Sequence, residues 1–222
     1  MSGKIKALTR DQLAEFLTAA ERDRSWPLFL FLADTGCRPS EGLAVQWEDI
    51  DLAGRTTHIH RALDLDRTEK DTKTHGSRYV DLSARLVTAL DRHHVAQEAD
   101  ALARGRDVSL LVFPSAEGTP LDIANVARSF RRLLVRAGIP KLGGPYLTRH
   151  TWASHALAMG APLPYVSAQR GHGSPAITLS FYAHWLPMGD RSLADRMEAW
   201  RTNYFATRST NNDAALVLES GV

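Results

Sequence analysis

A tyrosine near the end of the chain is the first residue whose chemistry needs an explanation. Tyr182 lies ten residues after His172 in the stretch GHGSPAITLSFYAH, and the Ser174-Pro175 pair between them is typical of a helix start. A tyrosine on a helix usually belongs to a core, but its phenol can act as a nucleophile where cations stabilise the phenolate. The question is therefore whether groups that bind phosphate lie elsewhere in the chain.

Three other polar segments supply such groups. Arg38 precedes a proline-started helix, and Glu41, three residues later, can hold its guanidinium in an ion pair. Lys73 lies in a polar turn between two predicted strands, and Arg149 and His150 open a predicted helix, where backbone amides favour anions. Each residue taken singly is more often a surface residue, so only their combination is informative.

The elements that must position these groups are mainly helices. Caps, prolines and terminal glycines predict helices over residues 9–22, 25–36, 39–45, 84–102, 121–137, 148–159, 164–169, 174–182 and 190–200. Two alternating runs, 56–65 and 77–82, predict an antiparallel pair of strands joined by a polar turn. The predicted fold class is α+β, mainly α with a small antiparallel β-sheet.

Composition restricts the class of protein. The chain has 222 residues and a single cysteine, Cys37, which excludes an internal disulfide, and the N-terminus lacks the apolar segment of a signal peptide. A cytoplasmic protein without a membrane span is expected. The net charge of +2 does not by itself indicate a nucleic-acid partner, so a basic DNA-binding surface must be local. The candidates on the predicted fifth helix are Arg128, Arg131 and Arg132.

Four motifs in a fixed order carry a family resemblance. TGCRPSEGL, TKTHGSRYVDL, YLTRHTWASH and RGHGSPAITLSFYAH resemble the motifs of the tyrosine recombinase (phage integrase) family, and the match runs from Leu8 to about Trp200. The resemblance implies a catalytic domain over residues 1–201 that cuts and rejoins double-stranded DNA through a covalent 3′-phosphotyrosyl intermediate. It also implies the site residues: Tyr182 as nucleophile, Arg38 and Arg149 as phosphate-binding arginines, Lys73 as general acid and His172 as a further phosphate contact.

The chemistry of phosphoryl transfer agrees with these roles. Negative charge gathers on the non-bridging oxygens during in-line attack, and planar guanidiniums complement it with paired hydrogen bonds, so no metal is expected. Lys73 can protonate the leaving 5′ oxygen, because a lysine near other cations has a lowered pKa. The phosphotyrosyl bond retains the energy of the broken bond, so no cofactor is expected.

The chain departs from the family pattern at two places. Tyr146 stands three residues before Arg149, where a histidine is usual, so an altered rate or pH profile is expected. Gln169-Arg170 stands where a leucine is usual, which predicts an extra cation near the DNA backbone.

Two expectations concern the ends of the chain. The separate helical domain of about a hundred residues that usually precedes the catalytic domain in this family is expected to be absent. The tail, residues 202–222, contains an apolar run at 214–218 that is expected to dock on a neighbouring protomer or on its own domain. Self-association is expected on DNA that carries paired sites.

Three alternatives stay open at this point. The first is a recombinase-like DNA-binding protein without cleavage activity, which Tyr146 supports, and the second is a type IB topoisomerase. The third is a metal hydrolase, which is disfavoured because no histidine pair has HExxH or CxxC-type spacing. His58 and His60 share one face of a strand, but nothing nearby in the sequence completes a metal site.

Overall fold

The structure is a computed structural model that describes residues 6–64, 68–71, 76–140, 142–186, 192 and 194–202. The chain divides into two units, Met1–Leu186 and Pro187–Val222. The helices described in the first unit are α1 (Arg10–Ala20), α2 (Trp26–Thr35), α3 (Pro39–Ala44), α4 (Ala84–Ala103), α5 (Ile123–Arg136), α6 (Tyr146–Ala158), α7 (Leu163–Arg170) and α8 (Pro175–Tyr182). Its strands are β1 (Ile50–Asp51), β2 (Thr56–Ile59), β3 (Arg61–Leu63), β4 (Glu69–Asp71) and β5 (Arg78–Asp81). The α+β prediction is confirmed.

Local signals explain where the helices begin and end. The Thr9 side chain accepts from the backbone of Gln12, whose side chain accepts in turn from the Thr9 backbone, so α1 begins with a capping box. Helix α2 ends at Gly36, which has φ +61°, and a Cβ there would lie 2.8 Å from the Trp152 ring. Glycine is therefore required both by the backbone and by the approach of α6 to α2.

The small sheet is antiparallel, as predicted, but it is divided. Strands run in the order β1-β2-β5, with Thr57 opposite Val80. The expectation of one strand over 56–65 is wrong, because β3 leaves this sheet and pairs with β4 in a separate two-stranded one. The break falls at His60, whose ring lies 2.8 Å from Asp49 Oδ1, and Arg61 Nη2 donates to the same oxygen at 2.6 Å. Strand β4 lies within the segment expected to be a polar turn.

Two buried clusters hold the helices together. In the larger one, the Phe16, Phe29 and Phe130 rings from α1, α2 and α5 have centroids 4.7 to 5.6 Å apart. Burying such a ring stabilises the fold by roughly 1.5–3 kcal/mol. In the smaller one, side chains of α6 and α7 enclose Tyr182 of α8. The same tyrosine is therefore a core residue and the candidate nucleophile.

In the second unit, residues 194–202 are helical, which confirms the greater part of the helix predicted over 190–200. The Thr202 hydroxyl donates to the Glu198 carbonyl at 3.0 Å. Residues 203–222 lie outside the described part of the chain, so the docking of the tail stays a prediction. Across the described ranges, no helix combines the length and the apolar character that a bilayer crossing requires.

Candidate active site

Tyr182 ends α8 with its hydroxyl held between two side chains. Helix α8 begins where predicted, because the Ser174 hydroxyl accepts from the Ala176 amide. The Tyr182 side chain is 1% exposed. Its oxygen accepts from Nη1 of Arg170 at 2.5 Å and lies 2.5 Å from Nδ1 of His150. The phenol is thus fixed in place by polar contacts as well as by packing.

Burial also sets the acidity of this phenol. It raises the pKa of Tyr182, and the charge and hydrogen bond of Arg170 oppose the rise only in part. The guanidinium of Arg170 also lies over the ring, 4.8 Å from its centroid. At neutral pH the tyrosine is protonated, so a nucleophilic role requires a group that takes its proton.

Arg149 is a buried arginine whose side chain is held by main-chain oxygens. Its Nη1 donates to the Gly36 carbonyl at 2.9 Å and its Nη2 to the Arg170 carbonyl at 2.5 Å. Helix α6 begins at Tyr146 and not at residue 148 as expected, because Pro145 is compatible with a helix start. Arg149 therefore lies one turn inside the helix, and the expectation that it opens the helix is wrong.

Burial and the neighbouring charges of Arg170 and Arg38 lower the pKa of Arg149 to about 9. The guanidinium is still charged at neutral pH. Because it is removed from water and surrounded by like charge, an anion that binds here is strongly stabilised.

The expected ion pair between Arg38 and Glu41 is present and includes a third residue that sequence reasoning missed. Arg38 Nη1 donates to Glu41 Oε1 at 2.8 Å, and the Arg38 backbone amide donates to Oε2, also at 2.8 Å. Arg78 of β5 donates to the same carboxylate at 2.7 Å and, through Nε, to the Gln169 carbonyl at 2.8 Å. A sequence signal that could have identified Arg78 is the alternation of side chains along a strand. It puts Arg78 on the same face of β5 as buried Val80.

The Arg78 side chain also explains Gly171, which follows α7. This glycine has φ +63°, and a Cβ on it would lie 2.8 Å from Nη1 of Arg78. The Gly171-His172 turn therefore closes directly over an arginine that binds Glu41.

Arg170, which the sequence predicts to be an extra cation near the DNA backbone, is buried in the structure. Its side chain is 3% exposed, and besides binding Tyr182 it donates to the Arg149 carbonyl at 3.2 Å. The residue ends α7, which packs against both α6 and α8, so its guanidinium is directed into the smaller core cluster. The burial was not expected from the sequence, and the place of Arg170 near the DNA backbone stays a prediction.

His172 follows Gly171 and is held by a second residue that sequence reasoning missed. Its Nδ1 lies 2.7 Å from the hydroxyl of buried Thr178. Burial and then the charges of Arg170 and Arg149 lower the pKa of His172 to about 3. His172 is thus neutral at neutral pH and can donate one hydrogen bond without adding charge.

Tyr146 and His150 lie one turn apart on α6. The Tyr146 side chain is 49% exposed, and its ring centroid is 6.5 Å from that of His150. Burial and the charges of Arg170 and Arg149 lower the pKa of His150 to about 4. Within the described residues, the Tyr182 oxygen is therefore in contact with His150 and Arg170, and not with the residue at the usual histidine position.

The arrangement suits a phosphodiester. Four guanidiniums belong to this site, those of Arg38, Arg78, Arg149 and Arg170, and one carboxylate, that of Glu41, which binds Arg38 and Arg78. Four positive charges and one negative charge give these five groups a net charge of +3. Both site histidines are neutral, as their lowered pKa values require. A single negative phosphate beside the Tyr182 phenol would reduce this excess and lie next to a nucleophile.

The remaining predicted residues lie elsewhere. Lys73 is outside the described residues, so its role as general acid stays a prediction. Arg128, Arg131 and Arg132 are exposed on α5, as a DNA-binding surface requires, although Arg132 forms an ion pair with Asp23 at 2.6 Å.

The structure adds Asp49 to the pair formed by His58 of β2 and His60, which follows that strand. One ligand atom from each of Asp49, His58 and His60 lies within 4.8 Å of the other two. The sequence analysis found no nearby residue that completes a metal site with the two histidines, and it therefore missed Asp49. However, Asp49 Oδ1 already accepts from Arg61 at 2.6 Å, and a guanidinium at that distance competes with a metal ion for the same oxygen.

The sequence of the chain is similar to those of known proteins. The model of the phage integrase family matches residues 6–187. A tyrosine recombinase XerC-like protein of Caldanaerobacter subterraneus subsp. tengcongensis is 28% identical over 202 residues, covering 83% of this chain and 51% of that protein. An integrase of Streptomyces ambofaciens is 35% identical over 189 residues, covering 80% of this chain and 48% of its own length. The chain thus spans about half the length of these relatives.

Solved structures share the fold. The XerA recombinase superposes with a TM-score of 0.65 and 23% identity, covering 90% of this chain and 66% of that one. The Tn1549 transposon integrase, solved with circular intermediate DNA, has a TM-score of 0.69 and 20% identity, with 89% and 67% covered. Because the family model spans well over half of the sequence, the chain belongs to the phage integrase family.

Proposed function

We propose that this chain is a site-specific DNA recombinase that cuts duplex DNA by transferring a 3′ phosphate to Tyr182 and rejoins the strand by the reverse step. The main support is the position of the Tyr182 oxygen, 2.5 Å from Arg170 and on a helix that packs against the helix of Arg149. A phosphate bound by these cations would lie within reach of the phenol. Neither metal nor ATP enters the proposed reaction.

Each polar residue of the site has a role in this proposal. Arg38 and Arg149 bind the non-bridging oxygens, where charge increases in the transition state. His172 donates a further hydrogen bond, and Glu41 orients Arg38. Lys73 gives a proton to the departing 5′ oxygen. Tyr146 stands at the usual histidine position and adjusts the rate or pH profile.

The proposal also covers partners and location. Double-stranded DNA is the substrate, and we propose that copies of the chain assemble on DNA carrying paired sites, with residues 202–222 as the segment that docks. The Tn1549 integrase, with the same fold, has been solved with DNA. We place the protein in the cytoplasm, where the single cysteine, Cys37, would stay reduced; the residue is buried and free in the structure.

Covalent trapping tests the function and selects the target sequence in the same experiment. A pool of duplexes with randomised sequence around a single nick is incubated with the protein, and adducts are isolated on a denaturing gel and sequenced. A nick beside the cleaved bond releases the short 5′ fragment, so rejoining fails and the adduct accumulates. We expect enrichment of a defined sequence and complete loss of adduct for Tyr182→Phe, a variant that keeps the packed ring.

Other outcomes would favour other functions. Retention of a defined sequence without any adduct would indicate a DNA-binding protein that does not cleave. Relaxation of a supercoiled plasmid that lacks the enriched sequence would indicate a topoisomerase. An adduct formed by Tyr182→Phe would contradict the assignment of the nucleophile.

A further inference from the structure

The hydrogen bonds at the Tyr182 oxygen have only one consistent direction. A phenol has one proton to donate, and its oxygen can also accept. The Arg170 guanidinium can only donate, so at a distance of 2.5 Å the oxygen is its acceptor. The phenol proton then points to the second partner, Nδ1 of His150, also 2.5 Å away. His150 is neutral at neutral pH, so a neutral ring with its proton on Nε2 presents Nδ1 as an acceptor.

We propose that His150 is a catalytic residue that accepts the proton of Tyr182 during attack, while Arg170 holds the same oxygen in place as its negative charge develops. This inference rests on the proposed recombinase function and adds the group that activates its nucleophile.

The step balances without any further reactant. A lone pair of the Tyr182 oxygen forms the bond to phosphorus as the O–H proton passes to Nδ1 of His150. The bond between phosphorus and the 5′ oxygen breaks, and that oxygen leaves with the bonding electron pair and takes a proton from the general acid, proposed to be Lys73. In rejoining, the 5′ hydroxyl attacks phosphorus and returns its proton to the general acid. The bond between phosphorus and the Tyr182 oxygen breaks, and His150 gives its proton back to that oxygen.

In the absence of DNA, the pKa values of Tyr182 and His150 disfavour this proton transfer. A bound phosphate makes the transfer less unfavourable. Burial raises the pKa of the phenol, whereas burial and two cations lower that of His150 to about 4. The charged or titratable groups that face His150 are Arg149 and Tyr146 on its own helix, Arg170 from α7, Tyr182 from α8 and Lys6 across a shared cavity. A phosphate beside Arg149 and Arg170 offsets their charge, which makes His150 a stronger base only when DNA is bound.

The burial of Arg170 supports a role at the phenol. Its Nε is buried and has no hydrogen-bond partner among the described residues, which lowers the stability of the fold. An apolar side chain at this position would avoid that cost. The favourable contacts of the guanidinium are with the Tyr182 hydroxyl, the face of its ring and the Arg149 carbonyl. Packing alone therefore does not explain why an arginine is buried at this position.

The first test separates proton transfer from positioning. In His150→Asn the side-chain oxygen can accept the phenol hydrogen bond but cannot take the proton. On the nicked duplex enriched by trapping, we expect adduct formation to slow by about 100- to 10,000-fold. The matched control is His155→Asn on the same helix, where the ring bonds to the Leu8 carbonyl at 2.9 Å. We expect this control to stay within about threefold of the wild-type rate, since it leaves the Tyr182 proton acceptor in place.

Two further measurements keep the inference falsifiable if His150 variants are impaired for structural reasons. A cavity of about 210 Å³, lined by His150, Tyr146 and Leu147, adjoins the site and offers room for added imidazole in His150→Ala. We expect imidazole to restore adduct formation at least about tenfold, with the rate following its neutral form as pH rises. Replacing Tyr182 by a fluorinated tyrosine, whose phenol is more acidic, should speed His150→Asn far more than wild type.

The outcomes separate the inference from the function on which it rests. If the wild-type chain forms no adduct with any member of the pool, the proposed function fails. If it does, but His150→Asn reacts within about threefold of the wild-type rate, the inference is overturned. It is also overturned if the variant is slow and neither imidazole nor the fluorinated tyrosine restores the rate.

Discussion

Arg78 donates to both carboxylate oxygens of Glu41, from Nη2 at 2.7 Å and from Nη1 at 3.2 Å. Because Arg38 binds the same carboxylate, one buried acid orients two guanidiniums. Arg78 also ties β5 to the end of α7 through the Gln169 carbonyl. The position of Arg38, which we propose binds the phosphate, thus depends on a residue of the sheet.

The first prediction concerns this pair. Arg78→Met leaves Glu41 with Arg38 alone at a 1%-exposed site, and we expect the free energy of unfolding to fall by about 3–5 kcal/mol. Urea denaturation of the purified chain measures this loss. Adding Glu41→Gln should cost less in the Arg78→Met background than in wild type, because part of the buried charge is already uncompensated. If the losses of unfolding free energy caused by Arg78→Met and Glu41→Gln are strictly additive, the coupling between these two residues is contradicted.

The second prediction is a pH dependence of stability. Burial alone would raise the pKa of Glu41, but Arg78 and Arg38 hold it at about 2, below the ordinary value of 4.5. The unfolded chain therefore takes up a proton first as the pH falls. The stabilisation is fully present above about pH 4.5 and is lost towards pH 2, and it amounts to about 3 kcal/mol at most. Urea titrations from pH 6 downwards measure the free energy of unfolding at each pH. In Glu41→Gln this free energy should fall less steeply with falling pH, because the contribution of Glu41 is absent.

The third prediction separates guanidinium geometry from charge. Arg38→Lys and Arg149→Lys keep a cation but lose the planar pair of donors, and we expect each to slow adduct formation by about 100- to 1,000-fold. The matched control is Arg104→Lys, because Arg104 is an exposed arginine that forms an ion pair with Asp100 and is not among the proposed site or DNA-binding residues. Near-wild-type rates in both site variants would refute the role of the paired donors. Addition of EDTA should leave the wild-type rate unchanged.

The fourth prediction tests the contact of His172 with Thr178. When the Thr178 hydroxyl donates to Nδ1, the imidazole carries its proton on Nε2 and can donate it to phosphate. Thr178→Val keeps the shape and removes this donor, so adduct formation should slow by about tenfold, as loss of one hydrogen bond predicts. Thr178→Ser should retain most of the rate. A slow Thr178→Ser variant together with a Thr178→Val variant of nearly wild-type rate would instead indicate a packing role for the methyl group.

The fifth prediction concerns the departure at Tyr146. We expect Tyr146→His to raise the cleavage rate or to move its pH optimum towards neutrality, because an imidazole exchanges protons near pH 7 and a phenol does not. Rates of adduct formation measured from about pH 5 to pH 9 decide the matter. Slower cleavage over that whole range would show that Tyr146 has a positioning role of its own.

Local sequence determined the parts of the site that depend on neighbouring residues. The capped start of α8 places Tyr182 on a helix, and the spacing of three residues between Arg38 and Glu41 produces their ion pair. Helix and strand periods are short-range properties, so caps, prolines and alternation predicted them. The division of the predicted strand 56–65 at His60 was nevertheless missed. It coincides with a contact between His60 and a residue eleven positions away, Asp49.

Only the tertiary structure decided which of these groups meet. Arg149 binds a carbonyl 113 residues away, Arg78 one 91 residues away, and Arg170 reaches Tyr182 across two packed helices. The sequence predicted Arg170 only as an extra cation near the DNA backbone. It did not indicate burial, since a charged side chain is rarely buried without a partner. Its partners are a phenol and a main-chain carbonyl supplied by other helices, and no local pattern encodes their approach. Packing of α6, α7 and α8 therefore converts separate motifs into one site.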